Sequence, residues 1–190
     1  MNAFLVSTGT IALAEIGDKT QLLALLLAAR FRQPLPIIAG IVVATLANHL
    51  LAGMVGLWLA HGLTPVVLRW SLGLGFLAMA AWTLVPDKDD GAGGNAAFGA
   101  FVATTLAFFI AEIGDKTQVA TVMLAAHYDA LWSVVAGTTC GMLVADVPAV
   151  LLGERVTRIA SPRVVRRLAA ALFAMLGIAT LLGAGAALGL

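Results

Sequence analysis

Charge is scarce in this chain. Only 11% of its 190 residues are Asp, Glu, Lys or Arg, against roughly 25% in soluble domains. That excludes an ordinary soluble globule and a charged, disordered chain. Cysteine is nearly missing: the single Cys140 excludes an internal disulfide framework and a Cys-rich zinc site. A net charge of +1 leaves no broad electrostatic footprint, so no nucleic-acid partner is expected. Aromatics are only 7% while glycine numbers 20, so close packing falls to small residues. What is abundant is apolar: 61% of residues are hydrophobic. The composition predicts an all-α polytopic membrane protein, with the lipid bilayer as its solvent.

A spanning helix needs about 20 mostly apolar residues. Six stretches qualify, near residues 3–29, 35–60, 65–85, 96–126, 131–152 and 164–190. The segments between them are short, and the acidic, glycine-rich run at 87–95 is the most linker-like. Met1-Asn2-Ala3 lacks the basic start of a signal peptide, so the first stretch reads as a mature span. The Lys/Arg bias of short loops sets orientation. Loops one, three and five hold Arg30, Arg32, Lys88, Arg155, Arg158, Arg163, Arg166 and Arg167, whereas the opposite face holds Arg69. These loops are expected in the cytoplasm of an inner or plasma membrane, with both termini outside.

The chain reads as two copies of one unit. Glu15-Ile16-Gly17-Asp18-Lys19-Thr20-Gln21 recurs as Glu112-Ile113-Gly114-Asp115-Lys116-Thr117-Gln118, 97 residues on. The same offset pairs Gly40 with Gly137, Pro65 with Pro162 and Phe76 with Phe173. The predicted units are 1–86 and 96–190, joined by the linker at 87–95 into one transmembrane domain. Three spans per copy is an odd number, so the second copy enters the membrane from the opposite side. This predicts an inverted-topology repeat, in which substrate sites lie at the repeat interface near the midplane.

Charges inside a bilayer cost at least ~2.5–3.5 kcal/mol each on insertion scales. Glu15, Asp18, Lys19, Glu112, Asp115 and Lys116 nonetheless fall within apolar stretches. On a regular helix each trio shares one face. Gly17 and Gly114 weaken the helix between the acids. Thr20, Gln21, Thr117 and Gln118 join the site if the helix breaks there or if neighbouring spans complete it. Four carboxylates and two ammonium groups leave a net of two negative charges, which one divalent cation or two protons neutralise. Oxygen ligands suit Ca²⁺, Mg²⁺ or Mn²⁺. Each lysine is either a partner of one carboxylate that limits ion affinity or a purely structural counter-ion. Burial disfavours a bare carboxylate charge, so a metal ion and protons compete for the same oxygens.

Two further polar residues stand 97 apart inside spans two and five: His49, preceded by Asn48, and Asp146. Asp146 is a candidate fifth carboxylate or proton carrier. His49 has a side chain that ordinarily titrates near neutral pH. The bland alternative is one satisfied hydrogen bond each. Gly137 and Gly141, and Gly40 with Ala44, read as helix-packing seams.

The doubled Glu-x-Gly-Asp-Lys-Thr motif resembles that of the Golgi calcium/manganese transporter family, which includes bacterial MneA-type manganese exporters. The resemblance covers essentially the whole chain. It implies export of Mn²⁺, and of Ca²⁺ in some members, from the cytoplasm against protons. It implies that Glu15, Asp18, Glu112 and Asp115 bind the ion, with Thr20, Thr117, Gln21 and Gln118 contributing. The ion is cargo, no resident cofactor is implied, and no enzyme activity is expected; no H-E-x-x-H motif is present. The competing reading is a six-span exporter of small organic solutes such as amino acids. That activity needs a pocket with unpaired cationic groups or helix N-termini for a carboxylate, which the clustered acids fit poorly.

Overall fold

The structure, a computed structural model, describes residues 3–85, 99–152 and 162–183. The linker at 87–95, Arg155, Arg158 and the chain ends at 1–2 and 184–190 lie outside the described residues. Within them the chain is helical: α1 (Ala3–Glu15), α2 (Lys19–Phe31), α3 (Pro34–Gly62), α4 (Pro65–Thr83), α5 (Gly99–Glu112), α6 (Lys116–Tyr128), α7 (Leu131–Leu152) and α8 (Pro162–Leu181).

Two of the six expected stretches are not single helices. The first divides into α1 and α2, the fourth into α5 and α6. Glycine is the reason. Gly17 has φ +83° and Gly114 φ +75°, in the left-handed region that side chains disfavour. The next residue, Asp18 or Asp115, is extended and starts the new helix. The Asp18 N–H donates to the Glu15 carbonyl at 3.0 Å, and the Asp115 N–H to the Glu112 carbonyl at 3.2 Å. The regular-helix face expected for each acidic trio is thereby corrected: the glutamate ends one helix and the aspartate and lysine begin another.

Half-helices of 13 or 14 residues are about 20 Å long, short of a bilayer core of about 30 Å. Joined end to end, each pair has the length to cross. Helices α3, α4 and α7 are long and apolar enough to cross alone. Large apolar side chains, among them Leu26, Leu35, Trp58 and Trp132, are exposed on the helices. Exposing so many large apolar side chains to water is costly, whereas lipid solvates them. The chain is a helical membrane protein.

Helix ends follow the sequence repeat. Helices α2 and α6 match at both ends under the 97-residue offset. Both stop at a left-handed residue, Arg32 at φ 55° and Asp129 at φ 48°. The small-residue seams also repeat. A Cβ on Gly137 would lie 2.5 Å from the Phe4 carbonyl and one on Gly141 2.7 Å from that of Thr8, so α7 lies directly on α1. A Cβ on Gly40 would lie 2.9 Å from the Phe101 carbonyl, so α3 lies directly on α5. In a bilayer such seams are stabilised by van der Waals contact rather than by exclusion of water.

The core has two parts. One joins buried residues of α1, α4, α6, α7 and α8, with Phe76 stacked on Phe173 at a ring-centroid distance of 6.5 Å. The other joins buried residues of α2, α3, α5 and α7. Among the described residues, helices α4 and α8 pack on each other, α4 also on α6 and α8 also on α1; neither packs comparably on α2 or α5.

Candidate cation site

The two helix breaks meet inside the bundle. Carboxylate oxygens of Glu15, Glu112 and Asp115 all lie within 4.8 Å of one another. All three residues are buried. Oxygen ligands sit about 2.3–2.6 Å from Ca²⁺, so oxygens on opposite sides of one ion are about 4.6–5.2 Å apart. The spacing therefore suits a single ion between the halves. Glu15 also feels the charges of Asp18 and Asp146, and Glu112 those of Asp146 and Lys19. The sequence-predicted acids thus form one electrostatic cluster, although Asp18 is not among the three whose oxygens converge.

The break reorients the residues that follow it. Thr20 Oγ1 donates to Glu15 Oε2, and Thr117 Oγ1 donates to Glu112 Oε2 at 2.9 Å. Each threonine fixes one oxygen of its glutamate. The other oxygens, Glu15 Oε1 and Glu112 Oε1, are buried with no hydrogen-bond partner among the described residues. A buried ionised oxygen left that way is costly, and a cation or a proton removes the cost.

Gln21 and Gln118 brace the breaks. Gln21 Oε1 accepts from the Gly17 N–H at 3.1 Å, and Gln118 Oε1 from the Gly114 N–H at 2.8 Å. Gln21 Nε2 also donates to the Ala145 carbonyl at 3.0 Å, tying α2 to α7. The aspartates occupy N-cap positions without making a side-chain cap bond, although aspartate there normally accepts one.

The lysines differ. Lys19 Nζ lies 3.6 Å from Asp115 Oδ1, an ion pair between the halves. Lys116 Nζ donates to the Val85 carbonyl at 2.9 Å, just past the end of α4.

The remaining expected residues fall on α3 and α7. Asp146 is fully buried, and neither carboxylate oxygen has a hydrogen-bond partner among the described residues. Pro148 sits two residues on, inside α7. Asn48 Nδ2 donates to the Phe109 carbonyl at 3.1 Å, tying α3 to α5. His49 is buried with both ring nitrogens unpartnered among the described residues. The single satisfied hydrogen bond that the bland alternative assigns to Asp146 and His49 is therefore not seen at either. Sequence reasoning missed the backbone acceptors at Val85, Ala145 and Phe109, because any residue offers a carbonyl. It also could not tell that one lysine crosses to the other half.

Comparison with known proteins points the same way as this geometry. The family model described as divalent cation/proton antiporter GDT1 matches residues 3–91 and 100–187. A protein of Vibrio cholerae serotype O1 (strain ATCC 39541 / Classical Ogawa 395 / O395) named "Putative manganese exporter" is 52% identical over 181 residues, covering 95% of this chain and 90% of its own length. No solved structure matches.

Proposed function

The chain belongs to the GDT1 family of divalent cation/proton antiporters, a family of transporters, and from that membership we propose that it exports Mn²⁺ from the cytoplasm in exchange for protons. Ca²⁺ is the second candidate, since it draws on the same hard oxygen ligands. The observation that carries this reading is the convergence of Glu15, Glu112 and Asp115 between two broken helices. The cation binds at Glu15 Oε1, Glu112 Oε1 and Asp115, with Asp18 and Asp146 contributing charge around them. Thr20 and Thr117 hold the glutamates in register, and Gln21 and Gln118 hold the breaks open. Protons replace the cation on the same carboxylates, which links the two fluxes in opposite directions.

In the membrane, α1–α2 and α5–α6 each count as one discontinuous span, which makes six spans in two inverted halves. Contacts between the connecting segments support this layout. His61 Nε2 lies 3.2 Å from Asp129 Oδ1, as required if loops two and four share a face. The Lys/Arg bias of loops one, three and five supports an orientation with that face, and both termini, outside an inner or plasma membrane. The site then sits where half-helices end near the midplane, as in other transporters with broken helices.

The test is Mn²⁺ flux into proteoliposomes, with and without an imposed pH gradient, for the wild type and Glu15→Gln. Flux that rises with an opposing proton gradient and vanishes in the variant supports exchange at this site. Equal flux with and without the gradient means a uniporter or channel. No Mn²⁺ flux moves the assay to Ca²⁺, and failure there overturns cation transport in favour of an organic solute.

A further inference from the structure

Three arginines sit where a helix ends. Arg30 is in the last turn of α2, and Arg32 caps it. Arg69 lies against the end of α8, its guanidinium nitrogen 3.7 Å from where a Cβ on Gly183 would stand. A cation gains there from the negative end of the helix dipole. Arg163 and Arg167 are placed the other way round. They occupy the first turns of α8, which begins at Pro162 and has no acidic residue in its first turn. The positive end of the dipole disfavours them. Their four-residue spacing also sets like charges side by side, which destabilises a helix. Both residues are exposed, and neither has an ion pair among the described residues. Their own helix therefore gives no reason for them.

The surface beside them is apolar. Val164 and Leu168 each follow an arginine by one position and are 53% and 54% exposed. Helix α4 runs antiparallel to α8, since a Cβ on Gly73 would meet Leu181 and one on Gly177 would meet Leu77. Continued at that register, Leu84 and Val85, just past α4, come level with the turn that holds Arg167 and Leu168. Both are exposed as well. Two guanidinium groups thus stand at one end of an apolar wall made by two segments of the chain.

We propose that this end of α8 binds an anionic phospholipid, with its phosphate between Arg163 and Arg167 and an acyl chain along Val164, Leu168, Leu84 and Val85. One anion offsets both the repulsion between the arginines and their conflict with the helix dipole. Guanidinium suits a phosphate because its planar N–H groups match the phosphate oxygens. The apolar wall selects a lipid over a free phosphate, which has nothing to bury there. Val85 also accepts the Lys116 bond, so the bound lipid packs beside the segment that anchors the second motif. The proposal stands on the membrane fold and is independent of the transport reading.

The experiment is thermal unfolding of the full-length protein in a neutral detergent, titrated with phosphatidylglycerol or with phosphatidylcholine of the same acyl chains. Phosphatidylglycerol raises the midpoint at a lower concentration than phosphatidylcholine does. Arg163→Gln and Arg167→Gln each raise the phosphatidylglycerol concentration that gives half the shift by roughly fivefold, the worth of one basic side chain at an anionic surface. Arg69→Gln leaves that concentration unchanged. Without added lipid the Arg163 and Arg167 variants unfold no earlier than the wild type, because each loses a like-charge neighbour; this separates a lost lipid from a lost fold. Equal response to the two lipids, or a phosphatidylglycerol response that both variants keep, overturns the site. Variants that unfold earlier without lipid show that the arginines serve a partner within the chain, and overturn it too. Glycerol 1-phosphate that produces the whole shift alone makes the ligand a soluble anion and overturns the lipid assignment.

Discussion

The motif after α1 and the motif after α5 repeat in everything they make for themselves. Both turn at a left-handed glycine. In both, the threonine holds the glutamate and the glutamine accepts from the glycine N–H. They differ in what the rest of the bundle brings to them. One lysine finds the opposite aspartate and the other a carbonyl past α4. One glutamine reaches Ala145 on α7 with its amide nitrogen. Seven residues thus carry their own local geometry, and tertiary packing decides which partners each copy meets.

This contrast can be tested by treating the two copies alike. The largest effect falls where the copies are equivalent. Glu112→Gln should remove Mn²⁺ flux as fully as Glu15→Gln, by more than about a hundredfold, since even residues behind a metal ligand cost about 10–100-fold when changed. Flux assays that find one glutamate dispensable would show that the halves do not share one site.

The glycines come next. A Cβ at Gly114 meets nothing within 4 Å, so Gly114→Ala isolates backbone strain, about 1–2 kcal/mol for a left-handed residue. Thermal unfolding in detergent should show that loss at both Gly17→Ala and Gly114→Ala. An unchanged midpoint would mean that the break tolerates a side chain.

The smallest effect sharpens the difference itself. Gln21→Ala loses the bond to the Ala145 carbonyl as well as the glycine brace, and should exceed Gln118→Ala by about 1 kcal/mol, one net hydrogen bond. Equal losses in the same unfolding assay would make the α2–α7 tie irrelevant to stability.

Much of this architecture was legible in the residue order. Apolar length located the long helices α3, α4 and α7, and Gly17 and Gly114 marked where a helix could fail. Gly40 and Gly137 identified the seams at which α3 meets α5 and α7 meets α1. The candidate site was legible as a set of residue types, because carboxylates are too costly in lipid to be idle. Its inequality was not. Nothing in two identical heptads says that Asp115 converges with the glutamates while Asp18 stays outside that trio. The acceptors at Val85, Ala145 and Phe109 are peptide carbonyls, present at every position and singled out by packing alone. The break was foreseeable from glycine, but its consequence, threonine turned onto glutamate, depends on the geometry of the turn.

The ion pair between Lys19 and Asp115 also bears on how the protein is made. Its partners stand 96 residues apart in the chain. At roughly 5–20 residues per second of synthesis, the ribosome adds Asp115 about 5–20 s after Lys19. During that interval the first span enters the bilayer with an ammonium group whose eventual cross-half partner has not been synthesised. Completion of this ion pair is therefore a late event in biogenesis, set by the arrival of the second half of the chain.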